Sequence, residues 1–179
     1  MIEAVIRRCF VGDEVALSLV GQAAFLEAFA GVISGRDIVL HCERQHAPAK
    51  YAAWLADGRS AIWIAEVEPG AAPVGYLVLT TPDLPLPDIA PTDFEVKRIY
   101  LLHRFQGRGI GARLMEEART HAICQGSRRL LLGVYSGNSA AIGFYERLGY
   151  VRIGTRPFAV GANTYHDLVL ALPLPSVIK

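Results

Sequence analysis

The run Phe105-Gln106-Gly107-Arg108-Gly109-Ile110-Gly111-Ala112 constrains this chain more than any other stretch. It lies between the apolar segment Ile99-Tyr100-Leu101-Leu102 and a segment of helical periodicity, Gly111 to Cys124. The order predicts a strand, a tight turn and a helix. Alternate glycines let a backbone pass close to a ligand and turn its N–H groups inward. A helix that starts there adds unpaired N–H groups and the positive end of its dipole. Together these features make a seat for a phosphate or pyrophosphate.

Several readings of the loop compete. Gly107-x-Gly109-x-x-Ala112 fits the dinucleotide fingerprint in form. That fingerprint wants its strand to run almost directly into the first glycine, but His103, Arg104, Phe105 and Gln106 intervene. It also wants an acidic residue roughly 20 positions on, where this chain has Leu130-Leu131-Leu132-Gly133-Val134-Tyr135. A Walker A loop is excluded, because no Gly-Lys-Ser/Thr occurs. A plain strand-to-helix turn is the structural alternative. The remaining spacing is Gln106-x-x-Gly109-x-Gly111.

Composition narrows the class. The chain has 179 residues, enough for one domain with a sizeable core, and 52% of them are hydrophobic. A net charge of +1 with scattered Lys and Arg gives no electrostatic case for nucleic acid. Cys9, Cys42 and Cys124 are far apart and odd in number, which suggests buried free thiols in a reducing cytoplasm. The N-terminal residues lack a signal-peptide layout, and no run approaches the ~20 apolar residues of a membrane span. A cytoplasmic protein with no membrane partner is expected. His103, His121 and His166 form no metal-ligand spacing, and no Gly-x-Ser-x-Gly elbow is present.

Read along the chain, residues 3 to 10 suggest a strand. Gly12-Asp13 can cap a helix on which Val15, Leu19, Ala23 and Leu26 share a face. A helical region from Gly35 to Ala56 is interrupted near Pro48. Strands are expected over Ser60 to Val67, Val74 to Thr80 and Phe94 to Leu102, with a stiff proline-rich loop from Thr81 to Thr92. After the glycine loop, Ile110, Leu114, Ala118 and Ala122 form one helix face. Leu130 to Tyr135 suits a buried central strand. A helix from Asn138 to Leu148 ends at Gly149, and strands over Tyr150 to Thr155 and Tyr165 to Leu172 close the domain. The strand–helix–strand unit implies at least one parallel pair in a sheet otherwise connected by hairpins.

Gln106-x-x-Gly109-x-Gly111 resembles the signature of the GNAT N-acetyltransferase superfamily, which wraps the pyrophosphate of acetyl-CoA. The stretch Asn138-Ser139-Ala140-Ala141-Ile142-Gly143-Phe144-Tyr145-Glu146-Arg147-Leu148-Gly149-Tyr150 is similar to its second motif, and Arg128 to Tyr135 to the intervening strand. The resemblance implies a mixed α/β fold. Its sheet is twisted and mostly antiparallel, with a central parallel splayed pair and helices on both faces, in a single domain over residues 1–179. It also implies an acetyl-CoA-dependent enzyme acting by direct attack in a ternary complex.

The resemblance carries roles onto residues. Gln106, Gly107, Arg108, Gly109, Ile110 and Gly111 would hold the pyrophosphate, with Arg108 adding charge if it is not simply a surface arginine. Ile99, Tyr100 and Leu101 occupy the splayed strand that pairs with the pantetheine arm, and a backbone N–H there can polarise the thioester carbonyl. Asn138 would bind the arm. Tyr145, two helical turns on, would protonate the departing sulfur, unless it is a core tyrosine. Glu95 is the expected base; the alternative is a solvent-facing strand glutamate paired with Lys97 or Arg98. Glu66 and Asp93 are weaker choices.

Short marks at Ala24–Phe29, Arg98–Leu101, Leu132–Tyr135 and Phe158-x-x-Gly161 are similar to bacterial polyamine and small-amine acetyltransferases. A cationic acceptor needs carboxylates and aromatic faces. Asp83, Asp88, Asp93, Glu66, Trp63, Tyr76 and Tyr165 are available to supply them. The expected partner is therefore a small-molecule amine, with a homodimer left open. The rival readings are a protein N-terminal or lysine acetyltransferase, a non-catalytic acyl-CoA sensor, and a nucleotide oxidoreductase.

Overall fold

The computed structural model describes residues 3–160 and 163–175. Its elements run β1 (Ala4–Arg8), α1 (Glu14–Phe29), α2 (Gly35–Gln45), α3 (Pro48–Ala56), β2 (Ala61–Val67), β3 (Ala72–Thr80), β4 (Phe94–Leu101), a 3-10 turn (His103–Phe105), α4 (Ile110–Cys124), β5 (Arg129–Tyr135), α5 (Ser139–Arg147), β6 (Val151–Val160) and β7 (Asn163–Pro173). The strands form one seven-stranded sheet in the order β1-β2-β3-β4-β5-β7-β6. β4 and β5 are parallel, whereas β1–β2, β5–β7 and β6–β7 are antiparallel. This is the expected mixed α/β sheet with a central parallel pair. Parallel neighbours need a crossover, and α4 provides it. The parallel register covers Phe94↔Leu130, Glu95↔Leu131 and Val96↔Leu132 and includes no pair for Ile99, Tyr100 or Leu101.

The chain divides into two compact units, Met1–Val78 with Arg98–Glu117 and Leu79–Lys97 with Ala118–Lys179. In the first, Cys9, Leu17, Val20, Tyr51, Ile62, Ile64, Tyr76 and Val78 form the core. Every residue of β2 is buried, so both faces of that strand are covered. Ser34 caps α2 by accepting the Asp37 N–H at 3.2 Å, and Pro48 opens α3 at a position where its missing N–H costs nothing.

One expectation for α1 is corrected and another is given its direction. Asp13 stands at its N-cap, but its carboxylate accepts from the Arg7 guanidinium at 2.8 and 2.9 Å and from the Phe10 N–H instead. The stripe Val15, Leu19, Ala23 and Leu26 is exposed; the core face is Leu17, Val20, Gly21, Ala24 and Phe25. Both sets obey helical spacing, so period alone does not choose between them. The cysteines also differ from expectation. Only Cys9 is buried, with its thiol pushed up to about 12 by burial, while Cys42 is half-buried and Cys124 exposed.

The first unit also buries a polar network. Ser18 donates to the His46 carbonyl at 2.6 Å. His46 Nδ1 lies 2.8 Å from the Tyr51 hydroxyl, which donates to the Tyr76 hydroxyl at 2.9 Å. Arg98 donates to Tyr51 at 3.2 Å and stacks over the Trp54 ring at 4.9 Å. Gly21 makes room for this knot, since a Cβ there would lie 2.6 Å from His46 Nδ1.

In the second unit, Leu84, Leu131, Val169 and Ala171 pack together with Leu86 and Ile89, so the proline-rich loop contributes to the core. Gly149 ends α5 in the left-handed region (φ +92°), as expected of a C′ glycine. β6 and β7 run longer than expected, with a register irregularity between Arg152 and Gly154. No described helix is long and apolar enough to cross a membrane.

Burial lowers the pKa of His46 from its ordinary 6.5 to about 2, and that of His41 to about 4, in each case with a further push from the Arg98 charge. Both rings are therefore neutral when folded. Above about pH 6.5 the unfolded chain is neutral there too, and no penalty arises. Below it the unfolded chain gains protons first, so stability falls until the folded values are reached. Denaturant unfolding is expected to lose about 2 kcal/mol for His46 between about pH 7 and about pH 5. His46→Asn is expected to remove about half of the measured slope, the rest coming from His41.

Candidate active site

The glycine loop belongs to the first unit. β4 ends at Leu101, and the Leu102 N–H donates to the Val74 carbonyl at 2.9 Å. The His103 N–H then donates to the Glu27 carboxylate at 2.6 Å, tying the last turn of α1 to the start of the loop. The side chain of Gln106 donates to the Leu101 carbonyl at 3.1 Å. Its amide is thus occupied in closing the turn, which leaves the backbone to meet a ligand.

Gly107 (φ +71°) and Gly109 (φ +78°) both occupy the left-handed region. A side chain at either would meet no heavy atom within 4 Å. Conformation, then, requires glycine there, while the space above the loop is open. Helix α4 starts at Ile110, and its first bond of this kind runs from the Arg113 N–H to the Gly109 carbonyl at 3.1 Å. The N–H groups of Ile110, Gly111 and Ala112 therefore lack acceptors within the helix. Arg113 also donates to the Ala4 carbonyl at 2.9 Å and fixes this first turn against β1. Arg108 is exposed. The donor set fits a diphosphate: open glycine backbone, unpaired amides and a helix N-terminus.

Ile99, Tyr100 and Leu101 are half-buried. Tyr100 stacks on Tyr76 (6.0 Å, 21°) and meets Phe25 edge-on at 6.4 Å. These contacts orient the strand end while its backbone carries no pair in the β5 register.

The second unit holds Glu95, Asn138 and Tyr145. Glu95 is not solvent-facing: its side chain is 1% exposed. It accepts from the Asp83 N–H at 2.7 Å, with Lys97 Nζ at 3.3 Å and the Arg156 guanidinium at 3.7 Å. Lys97 shares its strand face, whereas Arg98, one residue on, points the opposite way to Tyr51. Arg156, on β6, is the partner that sequence could not supply; it also donates to Asp167 at 3.2 Å. His166, the residue before Asp167 on β7, lies on the opposite strand face. Burial raises the Asp167 pKa above the usual carboxylate range.

Asn138 is the N-cap of α5, and its side-chain oxygen accepts the Ala141 N–H at 3.0 Å. Tyr145 is buried on α5 and packs against Phe144 (5.2 Å) and Tyr150 (5.8 Å).

The acidic and aromatic residues expected to gather around an amine are otherwise engaged. Glu66 pairs with Arg7 at 2.8 Å, and Asp93 and Asp88 pair with Arg129 at 2.8 and 3.0 Å. Trp63 is buried beneath the Arg8 guanidinium, Tyr76 lies in the His46 network, and Tyr165 meets Tyr135 edge-on. Asp83 is exposed near Lys97 at 3.6 Å. Of the Phe158-x-x-Gly161 mark, Gly161 lies outside the described residues. Among the described residues no group of three or more His, Cys, Asp or Glu could hold a metal ion.

Residues 32–150 match the acetyltransferase (GNAT) family. The chain belongs to that family. An N-acetyltransferase of Mycobacterium tuberculosis is 30% identical over 158 residues, spanning 88% of this chain and 96% of the relative. Among solved structures, the fold is similar to that of the PaiA N-acetyltransferase from Thermoplasma acidophilum in complex with coenzyme A (TM-score 0.74, 18% identity, covering 96% of this chain and 99% of that one). It is also similar to the ribosomal-protein-S18-alanine N-acetyltransferase from Escherichia coli (TM-score 0.66, 17% identity, covering 99% and 97%). As a GNAT member this chain is an N-acetyltransferase, and the family's acyl donor is acetyl-CoA.

A Val at position 109 forces a β-branched residue into a left-handed conformation. Gly109→Val is expected to weaken coenzyme A binding at least tenfold by calorimetry while leaving the circular dichroism spectrum unchanged.

Proposed function

We propose that this GNAT enzyme acetylates a small primary amine, with a polyamine as the first class to test, by direct attack while donor and acceptor are bound together. The observation that carries the reading is the open, left-handed glycine pair leading into the unpaired amides of α4. Acetyl-CoA, when bound, supplies a thioester acyl group and a thiol leaving group. The backbone of Gln106, Gly107, Arg108, Gly109, Ile110 and Gly111 holds the diphosphate, and the exposed Arg108 adds charge. Ile99, Tyr100 and Leu101 offer backbone hydrogen bonds to the pantetheine arm. Asn138 adds its NH₂, since its oxygen already caps α5.

Two side chains move protons. An alkylammonium has a pKa of about 10.4 and must lose its proton before it can attack. Glu95 takes that proton, directly or through a water. A carboxylate has about four lone-pair sites, and the Asp83 N–H, Lys97 and Arg156 leave room for one more donor. Tyr145 keeps its proton on the phenol oxygen until a thiolate forms, then gives it up. Burial of Tyr145 keeps bulk water from competing for that transfer.

Tyr145→Phe is expected to lower kcat about 100-fold, the usual worth of a general acid, with coenzyme A affinity unchanged by calorimetry. An unaltered rate removes Tyr145 from the chemistry. Glu95→Gln is expected to depress kcat/KM most near neutral pH, with recovery as the amine deprotonates on its own near pH ~10. A pH-independent loss removes Glu95 as the base. An acceptor screen read by released thiol tests the substrate class. Turnover with peptides alone replaces the small amine by a protein acceptor.

A further inference from the structure

Helix α1 is apolar on both sides. Its inner face packs in the core through Leu17, Val20, Ala24 and Phe25. Its outer face carries Val15, Leu19, Ala23 and Leu26, and the preceding turn adds Phe10 and Val11. The large side chains are well exposed: Phe10 69%, Val11 78%, Val15 66%, Leu19 63% and Leu26 53%. Gln22 is the one polar residue within the stripe, and its amide turns back to donate to Ser18 at 3.0 Å. No charge falls within the stripe. Glu14 and Glu27 lie on its flanks and are already engaged, by the Gly12 N–H at 2.8 Å and the His103 N–H at 2.6 Å. A helix that is hydrophobic all round is normally covered on all sides.

We infer that two copies of this chain pair through α1, with their helices antiparallel about a two-fold axis. The stripe from Val15 to Leu26 extends about three turns, so antiparallel pairing sets Val15 against the partner's Leu26 and buries Leu19 near the centre. Self-pairing is favoured by the absence of charge in the stripe, because a different partner would find nothing polar there to read. The net charge of +1 means that two copies hardly repel. Area also suits a dimer. Taking roughly 175 Å² per residue, toward the lower end of the aromatic range because most of these are Val and Leu, the exposed fractions amount to on the order of 600 Å² per copy. The pair then buries about 1,200 Å², at the lower bound of a specific interface. Antiparallel helices also oppose their dipoles favourably.

Analytical ultracentrifugation of the full chain tests the pairing across nanomolar to high-micromolar concentration. The wild type is expected to sediment as a dimer at the upper end. Val15→Lys and Leu26→Glu, both at exposed positions, are each expected to raise the dimer dissociation constant at least tenfold with unchanged circular dichroism and thermal midpoint. An equimolar mixture of V15K and L26E is expected to recover the dimer, since each heterodimer sets the new lysine against the new glutamate. A wild type that stays monomeric overturns the inference. So does a dimer indifferent to both substitutions, or a mixture that remains as dissociated as its components.

Discussion

The first amides of α4 need acceptors that the helix itself cannot provide, and the surrounding structure is arranged to present them. A helix leaves its leading N–H groups unpaired, and a glycine loop ahead of it adds more. Keeping that backbone open requires holding the loop from behind. Glu27 holds the His103 N–H, the Gln106 side chain holds the Leu101 carbonyl, and Arg113 reaches back to Ala4. The left-handed turns at Gly107 and Gly109 then follow, with no heavy atom within 4 Å of where a Cβ would stand. The carboxylate on α1 therefore shapes the site from outside it, by fixing where the strand ends.

The polar network behind β4 is a second constraint on the same strand. Arg98 spreads over Trp54 and donates to Tyr51, while His46 and Tyr76 complete the chain of hydrogen bonds. Buried polar groups tolerate few arrangements, because each unsatisfied donor or acceptor costs about 1–3 kcal/mol. His46 Nε2 is such an atom, buried without a hydrogen-bond partner. Specificity of arrangement is what the network offers in return: Tyr100 stacks on Tyr76, and Arg98 is held on Tyr51 and Trp54. Strand alternation thus separates two neighbouring cations, Lys97 serving the carboxylate and Arg98 the aromatic knot.

Much of this was legible in the chain. The glycine spacing marked the loop, the four-residue repeat Ile110, Leu114, Ala118, Ala122 marked a helix face that is indeed buried, and Pro48 marked the break between α2 and α3. These signals are local: φ preference, helical period and the missing proline N–H act within a few residues. The motif from Asn138 to Tyr150 was equally local, although only the structure shows Asn138 as the N-cap of α5.

What the sequence could not decide was direction and pairing. On α1 two apolar sets share one period, and only packing against Ile62, Ile64 and Tyr76 selects Leu17 and Val20 over Val15 and Leu19. Glu95 was the expected base with a solvent-facing strand glutamate as the alternative, and neither reading foresaw Arg156, 61 positions later (156 − 95), 3.7 Å from a buried carboxylate. Glu66 and Asp93 were similarly open to a functional reading until Arg7 and Arg129, distant in sequence, paired with them. The chain by itself determined that a glycine turn and its helix would form, because those depend on neighbours along the backbone. Only the tertiary structure decided which face is inside and which charges are paired, because burial and ion pairing depend on residues that meet in space.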